Sequence, residues 1–345
     1  MKLSDFSYTL PKSAIAKFPL EERDKAKLMV LNRETKSIDT KVFSDITDYF
    51  HKGDVLVVNE SRVFQARLYG KKEKTQAKIE VFLLRELNHN EAIWDVIVDP
   101  ARKVRIGNKI YFSDDLWCEV IDNTTSRGRT VRFNQQGNIY KAVENIGHTP
   151  LPPYIKREAD DKDKEFYQTV YAKVDGSVAA PTAGLHFTPK LLEKLHKKGV
   201  EIVPVILHIG LGTFRPVEVE DLTKHRMDSE FFEIPASSAE KINKAISDGK
   251  NVTVVGTSTT RALESSVTAD GFVRANKGWT DKFIYPSYPF QIADRLVTNF
   301  HVPESTLLML VSAFTGETEL LLKAYKKALK DNYRFLSYGD AMLIL

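Results

Sequence analysis

The chain has 345 residues, 42% of them hydrophobic, which is long enough for two domains or for one domain carrying an insertion. Its 50 basic and 46 acidic side chains leave a net charge of +4, which permits a nucleic-acid partner without requiring one. One cysteine, Cys118, excludes internal disulfides, thiolate zinc sites and any cluster held by three cysteines. No apolar run approaches the roughly 20 residues of a membrane span. The opening Met1-Lys-Leu-Ser-Asp-Phe6 lacks the apolar core of a signal peptide, so the expected location is the cytoplasm. No HExxH or P-loop pattern occurs, and no metal site is expected.

Residues 1–30 are a mixed lead-in that reaches the apolar run Leu28-Met-Val-Leu31, a predicted strand. Val42 to His51 carries a helical apolar pattern that stops at Gly53. Asp54-Val-Leu-Val-Val58 reads as a buried strand ending at Asn59-Glu-Ser-Arg62. Polar groups in that position often meet a ligand in α/β proteins. An ordinary capped strand end with Arg62 in solvent fits equally well.

From Val63 to Gly147 the texture changes. Six short runs, 66–70, 79–84, 92–98, 109–112, 117–121 and 130–133, are rich in β-branched and aromatic residues and are separated by turn and charged residues. No helix intervenes before Tyr140. The pattern predicts an all-β antiparallel barrel or sandwich, with Cys118 as packing rather than nucleophile. The Pro-rich Thr149–Tyr154 follows it. We therefore expect an inserted β-barrel domain, 63–147, inside a discontinuous α/β catalytic domain, 1–62 and 148–345.

From 155 onward helices and strands alternate. The stretch Val178-Ala-Ala-Pro-Thr-Ala-Gly-Leu-His-Phe-Thr-Pro-Lys190 is small and apolar up to Leu185 and carries one imidazole, His186. It then enters a helix with Thr188 as N-cap, Pro189 at the first position and Gly199 just past the end. His186 thus precedes a helix N-terminus, where free N–H groups favour anions. The strand Glu201–Leu207 follows. Ser237-x-x-Glu240 reads as a capping box for a helix closing at Gly249. The strand Val252–Val255 runs into Gly256-Thr-Ser-Thr-Thr-Arg-Ala-Leu-Glu264. Phe283–Tyr285 and Leu296–Thr298 precede two helices near Leu307–Phe314 and Glu319–Lys330. The larger domain is predicted to be α/β, a mixed sheet or barrel with flanking helices.

Three further stretches could carry chemistry. His208-Ile-Gly-Leu-Gly-Thr-Phe-Arg-Pro216 contains Gly210 and Gly212, but Arg215 takes the third glycine position and Pro216 follows, so a dinucleotide fingerprint is rejected. Gly256–Arg261 runs strand, glycine, hydroxyls, helix, and could cradle a phosphate or carboxylate with Thr257, Ser258, Thr259 and Thr260. Arg261 and Glu264 are spaced to pair, and a plain N-cap with a structural ion pair is the competing reading. Asn299 and His301 end another strand, with Ser305 and Thr306 as cap candidates. If these strands are parallel, Asn59, His208, Gly256–Arg261 and Asn299 open on one side, as an α/β active site does. Basic clusters at 71–74, 102–105, 194–198 and 323–330 suit RNA contact without being diagnostic.

These motifs, in this order, resemble the S-adenosylmethionine:tRNA ribosyltransferase-isomerases of the queuosine pathway. The resemblance runs the length of the chain, from Asp5-Phe6 and Leu20–Arg23 through Val58–Val63, Pro150–Ile155, Tyr167–Tyr171, Val178–Thr188, His208–Pro216, Gly256–Glu264 and Thr298–Gly316 to Ser337–Met342. Pro181–Phe187 together with Thr298-Asn-Phe-His301 are its most specific pieces. Three positions depart from it: Asp228, where a histidine is frequent; Ser287, where a glycine is usual; and His148, where an acid is common.

The resemblance implies a transferase-isomerase that consumes S-adenosylmethionine as a ribosyl donor and holds no bound cofactor. The acceptor would be the aminomethyl-deazaguanine wobble base in the anticodon arm of a tRNA with a GUN anticodon. The product would be epoxyqueuosine, with adenine and methionine released. The protein would act as a monomer, away from membranes. Such chemistry needs a base for a proton beside the sulfonium, a hydrogen bond or acid for departing adenine, and clamps for carboxylate and phosphate. By this resemblance His186 takes the acid/base role with His208 in reserve and Arg261 beside them. Asn59, Arg62, Thr182, Gly184, Gly210, Gly212, Thr257, Ser258, Thr259, Thr260, Glu264, Asn299 and His301 would bind substrate. A non-catalytic RNA-binding protein and an S-adenosylmethionine-dependent RNA methyltransferase are the competing classes.

Overall fold

The computed structural model describes residues 1–135 and 137–345. In chain order, β1 (Lys27–Leu31) and β2 (Ile38–Val42) form a hairpin, and β3 (Val55–Asn59) and β4 (Ser61–Val63) follow. Next come β5 (Arg67–Lys72), β6 (Lys78–Asn88), β7 (Ile93–Asp99), β8 (Lys109–Tyr111), β9 (Trp117–Asn123) and β10 (Gly128–Phe133). The short helices α1 (Ile139–Val143) and α2 (Asp161–Phe166) lead to β11 (Val174–Ser177). Then come α3 (Pro189–Lys197), β12 (Glu201–Leu207), β13 (Glu230–Ile234), α4 (Ala236–Ser247), β14 (Val252–Val255), α5 (Thr257–Glu264), β15 (Asn276–Thr280) and β16 (Arg295–Asn299). Two helices, α6 (Thr306–Thr315) and α7 (Thr318–Lys330), precede the last strand, β17 (Ala341–Ile344).

Nine strands make one mixed sheet in the order β15-β13-β12-β3-β14-β16-β17-β1-β2. Its centre, β12-β3-β14-β16, is parallel throughout. Alternation along these strands divides the core in two. Met29, Val55, Val57, Val254 and Met342 face the layer built from α4 to α7. Leu28, Val30, Leu56, Val58 and Leu343 face Phe43, Ile46, Phe187 and α3. Both faces are covered, so the central strands read as continuous apolar runs. β5 to β10 close into an antiparallel barrel around Trp94, Val96, Cys118 and Val120. The fold is therefore the predicted α/β unit with an antiparallel barrel, and we take 63–147 as the inserted part. Burial pushes the Cys118 thiol far up, so it stays protonated and inert.

Several local expectations differ in form. The helical pattern at 42–51 is a 3-10 helix, Phe43–Tyr49. Phe283–Tyr285 forms no regular element. The capping box at Ser237 is not made. The helix begins two residues earlier, after Pro235, and Ser238 Oγ instead donates to Pro204 O at 2.6 Å, tying α4 to β12. Thr188 does cap α3, accepting from Leu191 N at 3.2 Å, and Ser305 caps α6, accepting from Leu308 N at 3.2 Å.

Ser287 is exposed and adopts φ 75°, a left-handed conformation that costs a side-chain-bearing residue about 1–2 kcal/mol. Its replacement S287G should raise the unfolding free energy by about 1 kcal/mol in a denaturant titration. A loss of stability would show that the hydroxyl has a structural role.

Candidate active site

The parallel order of β12, β3, β14 and β16 brings His208, Asn59, Gly256 and Asn299 to one edge of the sheet. Beside that edge lies a cavity of about 270 Å³. Its small-residue wall is Ala179-Ala-Pro-Thr-Ala183, joined by Gly256, Thr257 and Ser258. Gly256 has φ 88° and lets the chain turn from β14 into α5, with Ala183 Cβ 3.7 Å from where its own Cβ would stand. No side chain caps α5, so its first N–H groups are open to a ligand at Thr257 and Ser258. The N-terminus of α6, at Ser305 and Thr306, lines the same space. Two positive helix ends thus meet one cavity, which suits a carboxylate or phosphate.

Arg261 does not pair with Glu264. It reaches across to Glu230 on β13, and both side chains are buried in a close ion pair. Arg261 Nε also donates to Lys282 O at 3.0 Å. The other Glu230 oxygen accepts Gly210 N at 2.8 Å. Glu264 instead accepts from Tyr288 Oη at 3.0 Å and from the backbone N–H groups of Gln291 and Ile292, pinning that loop. Arg261 and Glu230 both line the cavity; Glu264 does not.

A second chain of contacts joins Thr182, Asn299 and His186. Thr182 Oγ1 donates to Asn299 Oδ1 at 2.8 Å, and Asn299 Nδ2 donates to His186 Nε2 at 3.3 Å. Thr182 and Asn299 face the cavity. His186 lies behind them, packed against Phe43 at 4.9 Å, and lines a separate pocket of about 20 Å³ beside Arg23 and Arg334. Burial, aided by Arg334, pushes its imidazole down to about 3. His301 does line the cavity. Its Nε2 is 2.8 Å from Thr298 Oγ1, and burial holds it near 3 as well.

The remaining expected residues lie elsewhere. Asn59 is fully buried and bonds Leu207 O at 2.9 Å and Ser258 Oγ at 3.1 Å, clamping β3 to β12 and to α5. Thr259 and Thr260 turn their hydroxyls back onto Val255 O and Gly256 O, at 2.6 and 3.1 Å. They are buried within the helix and offer a ligand nothing. A Cβ at Gly184 would stand 2.0 Å from Tyr171 Oη, so that glycine serves packing. Arg62 is half-exposed near Asp175 and Glu144, at 3.5 and 3.7 Å.

His208, Gly210 and Gly212 border a second and wider space of about 610 Å³, between the barrel and the β12–β13–β15 edge of the sheet. His208 Nδ1 is 2.7 Å from Ser61 Oγ, and burial lowers its imidazole to about 4. At Gly212 a Cβ would collide with Asp228, which pairs with Arg215 at 3.0 Å. Glu230, Lys282 and Tyr154 are among the cavity residues that the sequence alone did not single out. The run Glu230-Phe-Phe-Glu-Ile234 alternates like a strand, yet nothing in that pattern says that its first acid is buried against a distant arginine.

Among the described residues, no group of three or more His, Cys, Asp or Glu could hold a metal, and no helix is long and apolar enough to cross a membrane. Unfolded imidazoles titrate near 6.5, whereas His186, His208 and His301 titrate near 3 to 4 in the fold. Between these values the unfolded chain binds more protons, so stability falls as pH drops below about 6.5. The urea midpoint should fall from about pH 7 to about pH 4.5, and the variant H186Q should show a shallower fall. An unchanged slope in that variant would place the proton uptake elsewhere.

The chain matches, over residues 3–344, the profile of a family described as queuosine biosynthesis protein. An S-adenosylmethionine:tRNA ribosyltransferase-isomerase from Chloroherpeton thalassium is 60% identical over 347 residues, with 100% of each chain covered. One of the same name from Cytophaga hutchinsonii is 57% identical over 349 residues, again with 100% of each covered. A crystal structure of S-adenosylmethionine tRNA ribosyltransferase from Thermotoga maritima is 35% identical to this chain. It covers 99% of this chain and 100% of its own, with a TM-score of 0.56. A match spanning nearly every residue, with relatives of this identity at full length, means that the chain belongs to the queuosine biosynthesis protein family.

Proposed function

We propose that this protein is an S-adenosylmethionine:tRNA ribosyltransferase-isomerase acting in queuosine biosynthesis. The observation that carries the reading is the 60% identity over the full length of a relative bearing that name. The ribosyl part of S-adenosylmethionine passes to the aminomethyl group of a deazaguanine wobble base in a tRNA with a GUN anticodon. It rearranges to the epoxycyclopentane of epoxyqueuosine, and adenine and methionine leave. We place the enzyme in the cytoplasm as a monomer that needs no further cofactor.

The cavity suits the donor. The open N-terminus of α5 can hold the methionine carboxylate at Thr257 and Ser258. The wall Ala179–Ala183 lets the adenosine approach the backbone closely. Glu230 supplies a carboxylate for the sulfonium, and we assign it the proton beside that sulfur. Arg261 and Gly210 N–H fix its orientation. Asn299 reaches the donor from beside the same wall, with Thr182 and His186 setting its amide. His186 is thus a positioning residue: it lies outside the cavity and stays neutral at physiological pH. His208 borders the neighbouring cleft, where it cannot touch the donor's leaving group.

Incubation with labelled S-adenosylmethionine and precursor tRNA should release adenine and methionine. Methylated RNA with S-adenosylhomocysteine would identify a methyltransferase instead, and tight RNA binding without turnover a binding protein. E230Q should lower turnover by about 100-fold or more while S-adenosylmethionine still binds, as loss of a general base does. H186Q should keep at least about a tenth of the activity with an unshifted pH profile, because its amide can still orient Asn299. Abolished turnover in H186Q with intact binding of both substrates would restore the acid/base role to that imidazole.

A further inference from the structure

The cavity and the wider cleft are neighbours with a common wall. Ile209, Arg215, Met227 and Glu230 line both. On the far side of the cleft stands the barrel, which contributes Leu84, Arg85 and Asp95. On the near side Trp279 is 55% exposed, an unusual state for the largest apolar side chain on a sheet edge. Trp279 meets Phe231 edge-on at 5.9 Å, and Phe231 stacks on His208 at 5.6 Å and 24°. The indole is therefore backed by a rigid aromatic row while remaining open to the cleft. Arg85 reaches from the barrel to 5.6 Å over its ring. A guanidinium so placed occupies the position that another planar group would take.

We propose that this cleft receives one guanine-type base turned out of an RNA loop, stacked on Trp279 between the barrel and the main sheet, with its reactive arm directed past Glu230 into the donor cavity. Turning the base out of its stack is what brings its substituent within reach of a donor buried behind a wall. Stacking on an aromatic face supplies the contact that offsets the unstacking. Asp95 adds a carboxylate on the barrel side, 3.5 Å from Arg85. A carboxylate accepts hydrogen bonds only, which matches the two adjacent N–H donors on the pairing edge of guanine, where uracil and cytosine each offer a single donor group beside acceptors. Arg85, displaced from Trp279 by the base, becomes free to meet the RNA phosphate. The barrel is then one jaw of the acceptor site.

This proposal rests on the assigned function for the RNA acceptor and for placing the donor in the smaller cavity, yet the two can fail separately. The probes are an anticodon stem–loop RNA with guanine at the wobble position, which cannot accept the ribosyl group, and the same RNA abasic at that position. The full-length protein should bind the guanine form at least about 10-fold more tightly, and W279A should bind the two alike, as loss of one base–aromatic stack predicts. W279F should keep most of the preference, and S-adenosylmethionine affinity should be unchanged in both variants. W279L, which keeps apolar bulk without the aromatic face, should lose the preference as W279A does, and it serves if the smaller residue disturbs the edge strand. A wild-type protein indifferent to the missing base, or a W279L protein that retains the full preference, overturns the proposal. Base preference without adenine release from precursor tRNA would leave the cleft assignment standing and remove the ribosyl-transfer reading.

Discussion

The buried pair of Arg261 and Glu230 is the contact on which the site depends. Two opposite charges removed from water must satisfy one another, and taking away either partner typically costs about 3–5 kcal/mol. Here the pair also fixes geometry. Arg261 belongs to α5 and Glu230 to β13. Arg261 Nε holds the chain at Lys282, and Glu230 holds the loop at Gly210. One ion pair therefore locks a helix, a strand and two loops around the edge between two spaces.

Neutral groups complete the frame. Asn59 uses both ends of its amide to bind β12 and α5 from the end of β3. His186, His208 and His301 are all held well below the ordinary imidazole range by burial. A neutral imidazole both accepts and donates, so it can orient an amide or a hydroxyl without adding charge. Such a frame sets the N-termini of α5 and α6 and the Arg261–Glu230 pair beside the cavity.

Much of this was legible in residues alone. The barrel announced itself through six short β-rich runs, because strands that face a closed core must alternate and must turn often. Gly256 and the hydroxyls after it marked a strand-to-helix turn. Thr188 and Ser305 marked helix starts through side chains that can accept an N–H. Direction was harder. Thr259 and Thr260 looked like ligands because their hydroxyls are polar, yet inside a helix a hydroxyl can return to the carbonyl four residues back. Ser237 and Glu240 have capping-box spacing, but Pro235 sets the start two residues earlier. His186 drew attention as the one imidazole in a small-residue loop, and the fold turns it away from the cavity lined by Thr182 and Asn299.

The amino-acid sequence by itself determined the apolar strands β1, β3, β12, β14 and β16 and the helices α3 to α7, the barrel between two halves of an α/β unit, and the family through motifs spread along the chain. These are local or cumulative properties, written in periodicity, turn residues and residue order. Tertiary structure alone decided which strand ends converge, that Arg261 meets Glu230 rather than Glu264, and that Trp279 stands open across from the barrel. Those outcomes depend on strand order and sheet register, which bring together residues dozens of positions apart. A side chain three residues away on the same helix is a neighbour by spacing, but burial and charge pairing across the sheet select the partner it finally takes.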